Sequence, residues 1–88
     1  MFYEWSQEKN NKLRKERGIG FEEVIIKIIN GEILDIISNP SQNHPKQKVY
    51  VIEINHYIYY VPHVADSEKV FLKTIIPSRK ATKKYIEK

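Results

Sequence analysis

The run Ile76 to Tyr85 (IPSRKATKKY) has the chemistry to meet a phosphate. Pro77-Ser78 stops a strand, and Ser78 is placed to cap a helix over 79–87. Arg79 and Lys80 then occupy the first two helical positions. Cations there oppose the helix dipole, at a cost of about 0.3–1 kcal/mol each when exposed. The same place attracts an anion, because backbone N–H groups are free at a helix start. A phosphate would meet those amides, a bidentate guanidinium and an ammonium together. The plainer alternative is that both side chains point into water. The surrounding charge favours the phosphate. Residues 69–88 hold seven cations, Lys73, Lys83 and Lys84 among them, against the single carboxylate of Glu87. That segment is +6 in a chain of net +4, so residues 1–68 carry −2. A near-neutral body with a basic end suits an anionic partner, or else is a solvated terminus.

Histidine and tyrosine supply the remaining candidates. His63 is the one imidazole expected to move a proton, projecting from a strand end and titrating near neutrality. His44, in a Pro-rich loop, and His56, at a hairpin tip, read as plain exposed residues. Tyr50, Tyr57 and Tyr59 share one side of a hairpin with Lys48 and His63. Aromatics beside cations can stack the bases of single-stranded RNA while the cations hold its backbone. Ile52, Ile54 and Val61 lie on that same side, so it reads equally well as the inside of a core, with Tyr present because it suits strands. Cys is absent and the three His lack ligand spacing, so no metal site and no cofactor is expected. There is no Ser-His-Asp or Cys-His set and no Gly-rich phosphate loop.

These residues must be positioned by a small fold. Eighty-eight residues, 41% hydrophobic and 30% charged, make a single folded domain over 1–88. No apolar run approaches the roughly 18 residues of a membrane span. The start, MFYEWSQEKNNK, lacks the layout of a signal peptide, which predicts a cytoplasmic protein away from membranes. Phe2–Trp5 reads as a strand. Ser6 caps a polar helix that Gly18 ends, with Glu8/Lys12 and Lys12/Glu16 at i,i+4. Leu13 is its only large aliphatic, so docking through Leu13, Trp5 and Ile19 is expected to be weak. Phe21, Val24, Ile25, Ile28 and Ile29 fall on one helical face, predicting a helix over 21–30 that ends at Gly31. A strand follows at 33–37, then a loop over 38–47.

Lys48–Ile54 and Tyr57–Val64 are strands joined by Asn55-His56, a two-residue hairpin connection. The register then sets Ile54 opposite Tyr57, Ile52 opposite Tyr59, Tyr50 opposite Val61 and Lys48 opposite His63. Pro62 implies a bulge or an edge. The last strand is expected over 70–76. The order β-α-α-β-β-β-β-α, with a mainly antiparallel sheet and helices on one face, is an α+β fold.

Three motifs in order give the chain a likeness to a known family. They are Phe2-Tyr3-Glu4-Trp5 with Glu8-Lys9-Asn10, then Leu13-Arg14-Lys15 with Gly18-Ile19-Gly20-Phe21-Glu22-Glu23, and finally Ser78-Arg79-Lys80-Ala81-Thr82-Lys83-Lys84. With these the chain resembles the BrnT toxins of the RelE/ParE superfamily, whose signatures run F-x-W-D-x-x-K, L-R-K-H-G-V-S-F-E-E and S-A-R-K-A-T-x-x-E. The resemblance covers nearly the whole chain. It implies a small RelE-like sheet with two helices on one side, an open side that binds RNA, and a C-terminal helix near the site. It also implies a cognate DNA-binding antitoxin, with ribbon-helix-helix proteins as candidates, through which operator DNA is contacted. The family's Lys-His-Gly is Lys15-Glu16-Arg17-Gly18 here, its Ser before Phe-Glu-Glu is Gly20, and its Y-T-E-R region is replaced around Pro62-His63-Val64.

Two functions follow. One is an endoribonuclease toxin of a type II toxin–antitoxin system that inhibits translation without a metal. In it a base takes the 2′-OH proton, cations stabilise the phosphorane and an acid protonates the leaving oxygen. Arg79 and Lys80 are the cations, joined by Lys73. His63, Lys15, Glu16 and Tyr59 are the candidates for base and acid, in no fixed order. Lys48, Tyr50, Tyr59, Lys73, Lys83 and Lys84 are the candidates for holding RNA. The other is a non-catalytic module that acts on a protein target or within a repressor complex, a reading the missing histidine favours.

Overall fold

The computed structural model describes residues 2–38 and 47–87. In chain order they form β1 (Phe2–Trp5), α1 (Gln7–Arg17), α2 (Phe21–Ile29), β2 (Ile33–Ser38), β3 (Lys48–Ile54), β4 (Tyr57–Ala65), β5 (Lys69–Leu72), β6 (Ile76–Pro77) and α3 (Arg79–Tyr85). The expected α+β class and element order hold, with β6 added. His44 and the two prolines of its loop lie outside the described residues.

The β3–β4 hairpin is the centre of the sheet. Asn55 and His56 both take positive φ, 55° and 64°, as a tight turn that follows the strands' twist requires. The register is the expected one, from Lys48 opposite His63 to Ile54 opposite Tyr57. The strands lie in the order β1-β5-β4-β3-β2, and β6 pairs with β4 below the end of β5. Only β1 and β5 run parallel among these pairs.

Alternation along the hairpin makes two apolar faces. Tyr50, Ile52, Ile54 and Val61 point to one side, where they meet Leu13, Ile19, Phe21 and Val24. Burying side chains such as Phe21 and Ile52 contributes about 1.5–3 kcal/mol each. This face carries α1 and α2, as the sequence suggests. The short α3 departs from the one-face arrangement. Ala81 packs with Val51 and Ile58 on the opposite face, joined by Ile37, Tyr60, Tyr85 and Ile86.

The end of the sheet differs from the expected strand over 70–76. β5 stops at Leu72, Ile75 turns fully into the core, and Ile76–Pro77 resumes pairing opposite Tyr60 and Tyr59. Pro62 explains the break. Its carbonyl accepts from the Lys73 amide at 2.8 Å, so its ring nitrogen faces the same side without a proton to give. The ladder therefore passes from β5 to β6 beside Pro62, and β4 neither bulges against β3 nor becomes an edge there.

The docking of α1 is polar, contrary to the expectation of a weak apolar contact. Asn10 is 1% exposed. Its carbonyl oxygen accepts from the Phe21 amide at 2.7 Å, and its amide donates to both carboxylate oxygens of Glu22 at 2.9 and 3.0 Å. Arg14 donates to Glu22 at 2.7 Å and to Glu23 at 2.6 Å. Arg17 donates to the Ile75 carbonyl. Gly20 begins α2 without a side chain to cap it. Asn10 does that work from the neighbouring helix. A Cβ at Gly20 would lie 2.5 Å from the Asn10 oxygen and 2.9 Å from Arg14 Nε, so the close approach needs glycine. Hydrogen bonds from Asn10 and Arg14 hold the Glu22 carboxyl below its ordinary range.

Asn10→Ala is predicted to strand the buried Phe21 amide, costing about 1–3 kcal/mol in urea unfolding. A variant within about 0.5 kcal/mol of the parent, the range of neutral surface changes, would mean that Asn10 does not hold α1 and that Leu13, Arg14 and Arg17 suffice.

Candidate nucleic-acid interface

The segment Ser78 to Thr82 divides its labour by residue. Ser78 Oγ accepts from the Ala81 amide at 3.1 Å, and the Ser78 amide donates to the Ile58 carbonyl at 2.9 Å. The Thr82 hydroxyl donates to the Ser78 carbonyl at 2.8 Å and accepts from the Ile58 amide at 2.9 Å. Ala81 and Thr82 are buried. Ser78, Ala81 and Thr82 thus fasten α3 to both backbone groups of Ile58. The Ala81 amide is already taken by Ser78, so it is not part of the anion seat expected at the helix start.

Arg79, Lys80, Lys83 and Lys84 are exposed, as is Lys73 just before β6. Among the described residues none of the five has a carboxylate within ion-pair reach. Lys73 Nζ lies 5.2 Å from the centre of the Phe71 ring, and Lys84 Nζ lies 5.5 Å from that of Tyr85. Elsewhere Arg14 is paired with Glu22 and Glu23, Lys27 with Glu32 and Lys69 with Glu4, while Lys12, Lys15 and Lys48 are exposed with no carboxylate in ion-pair reach among the described residues. What sets the α3 side apart is that five such cations fall within twelve residues, Lys73 to Lys84, with no carboxylate between them.

The other candidates lie elsewhere. His63 does not project from the strand end, because β4 continues to Ala65 and Leu72 of β5 pairs beside it. The residue is 4% exposed, and its ring stacks on Tyr50 with centroids 3.7 Å apart and planes 12° apart. Nδ1 lies 3.1 Å from the Val61 carbonyl. Burial pushes the imidazole below its ordinary value, against the smaller opposing effect of that carbonyl. Tyr50 is buried too, and burial raises its phenol, with Tyr3 adding to the shift. Tyr59 is half-buried against the same core and meets Tyr57 edge-on at 5.7 Å. Lys48 is exposed on this face. Lys15 and Glu16 are exposed on α1. The structure thus brings Lys73, Arg79, Lys80, Lys83 and Lys84 to one side. It sets His63, Lys48, Tyr50, Tyr59, Lys15 and Glu16 on or over the other.

Sequence reading missed the aromatic part of the α3 side. Phe71 faces that side beside Val64 and Glu4, and Phe2 faces it beside Lys69. The available signal is the phase of β5: Val70 and Leu72 alternate with Lys69, Phe71 and Lys73, so Phe71 keeps company with cations.

Among the described residues no three His, Asp or Glu side chains gather as a metal site, and no helix is long and apolar enough to cross a membrane. No family model, curated protein or solved structure matches the chain.

A His63 pKa below 6.5 has a signed consequence. The unfolded chain binds the proton first, so stability is predicted to fall as pH drops below about 6.5 and to stop falling, on this account, once the folded imidazole is also protonated. His63→Gln is predicted to remove that share of the slope in melts between pH 7 and 5. Identical slopes for parent and variant would show that the imidazole is not held neutral by the fold.

Proposed function

We propose that the chain binds RNA through α3 and the sheet beside it, and that it is the toxin of a type II toxin–antitoxin system: a metal-independent endoribonuclease that inhibits translation in the bacterial cytoplasm. The observation that carries this reading is a group of five exposed cations without a carboxylate partner among the described residues: Arg79, Lys80, Lys83 and Lys84 on a helix fastened to the sheet by Ser78 and Thr82, and Lys73 on the chain leading to it. Fixed cations suit a phosphodiester twice. They hold its charge on binding, and they stabilise the extra negative charge of the phosphorane when a 2′-oxygen attacks. Arg79 and Lys80 have that role. A base must take the 2′-OH proton and an acid must protonate the departing 5′-oxygen.

A second reading, binding without cleavage, is favoured by one observation. His63 is stacked and buried on the face away from the cations, where it cannot serve a phosphate held by α3. The absence of the family's histidine at Lys15-Glu16-Arg17-Gly18 points the same way.

Expression without a partner is predicted to arrest bacterial growth, and Arg79→Ala with Lys80→Ala to relieve the arrest at equal protein level. The same double variant should bind single-stranded RNA with a shallower salt dependence, the logarithmic slope falling by about 0.7 for each phosphate that is no longer neutralised. Cleavage of purified RNA is expected to persist in EDTA. Arrest undiminished in the double variant would remove Arg79 and Lys80 from the function, and binding without cleavage would establish the second reading.

A cognate DNA-binding antitoxin is expected to mask the cationic helix with an acidic or amphipathic segment, reaching operator DNA on the toxin's behalf. Ultracentrifugation of the chain co-expressed with the product of the adjacent reading frame should give one complex. Two independent species at micromolar concentration would refute tight association.

A further inference from the structure

We infer that the strip of sheet left open beside α3 takes unpaired bases of single-stranded RNA, stacked on Phe71 and Phe2, an inference that rests on the RNA reading above. Strand register puts Phe2, Glu4, Val64, Lys69 and Phe71 on one face, the face that carries α3 further along β4. The residues packed under α3 are Val51, Ile58, Ile37 and Tyr60, which leaves the β1–β5 end of this face uncovered by the helix. Phe2 is 74% exposed there, on the strand beside β5. A shallow hollow of about 260 Å³ opens next to Phe71, lined also by Val64, Ala65, Asp66 and Lys69. That is smaller than the roughly 300–1,000 Å³ of sites for drug-sized ligands, and it suits a single flat ring.

Charge assigns bases to this strip and phosphates to its border. Lys69 is held by Glu4 at 3.3 Å, so it offers little net attraction to an anion. Asp66 accepts from the Glu68 and Lys69 amides through Oδ1 at 2.8 and 2.9 Å, which keeps its carboxyl ionised. A phosphate would be repelled by that carboxylate, whereas the N–H groups of a base edge can donate to it. Lys73, over Phe71, has no carboxylate partner among the described residues and leads toward α3. An RNA strand with its bases on Phe71 and Phe2 and its backbone along Lys73 and α3 satisfies both requirements. Aromatic rings flanked by cations are the usual platform for single strands, because every base has a face to stack.

The test compares a ribo-oligonucleotide with an abasic strand of the same length and phosphate count, by fluorescence anisotropy. The parent should bind the base-bearing strand more tightly. Phe71→Leu and Phe2→Ala should each weaken that strand by about tenfold and leave the abasic strand unchanged. The salt slope should stay that of the parent, since no cation is removed. Phe2 is exposed on an edge strand, so Phe2→Ala decides the matter if Phe71→Leu does not fold. Equal binding of both strands by the parent, unmoved by either substitution, would overturn the stacking platform and leave the RNA reading standing. Failure of the parent to bind either strand would overturn the RNA reading and the platform with it.

Discussion

The turn at Asn55-His56 is the constraint on which the other elements depend. Two consecutive residues with positive φ allow only a tight connection, and the tight connection sets every pair from Lys48 and His63 to Ile54 and Tyr57. Side chains alternate along strands, so a slip by one residue would exchange the two faces of the sheet. Here both faces are apolar along the hairpin. Tyr50, Ile52 and Val61 need a cover on one side, and Val51 and Ile58 need one on the other. The helices divide accordingly. Ile58, next to the turn, also presents the carbonyl and amide that receive Ser78 and Thr82. The position of the cationic helix is therefore set by a turn more than twenty residues earlier in the chain.

Features encoded by local chemistry were legible in the sequence. Ser6, Gly18, Ser78 and the Asn55-His56 pair act within a few residues of themselves, and each sits where its own preference puts it. The amphipathic spacing of Phe21 and Val24 likewise announces its own buried face. What could not be read depends on a partner distant in sequence. Asn10 looks like an ordinary surface residue of a polar helix until Phe21 and Glu22 are brought against it. The end of β5 is invisible in its own composition, since Thr74, Ile75 and Ile76 favour strands. It is imposed by Pro62 on the facing strand, which has no proton to donate.

The candidate site shows the same division. The cations of α3 were legible as composition, and the capping role of Ser78 as a local signal. The placement of His63 was not, because its burial comes from Tyr50 on one neighbouring strand and the continuation of the sheet into β5 on the other. The open aromatic strip was hidden for the complementary reason. Phe71 lies between Val70 and Leu72, its one trace in the sequence is that it alternates in phase with Lys69 and Lys73, and the register of β5 against β4 is what sets it on the face away from the core.

The energetics of α3 bear on why its charges matter. Arg79 and Lys80 stand at the end of the helix where its dipole is positive, and they face Lys83 and Lys84 at i,i+4, a like-charge spacing, although the last turn itself suits those two lysines. Among the described residues no carboxylate relieves them. A helix of seven residues is marginal by itself. It persists because Ala81, Tyr85 and Ile86 cover Val51 and Ile58, and because the Thr82 hydroxyl and the Ser78 amide satisfy the backbone of Ile58. Favourable contacts on the inner side of the helix thus hold an unfavourable charge pattern on its outer side. A local rule broken in the folded chain and maintained by its surroundings is characteristic of a surface arranged for something outside it. On α3 the broken rule is the spacing of like charges at i,i+4, and the surroundings that maintain it are the contacts of Ala81, Thr82, Tyr85 and Ile86 with the sheet.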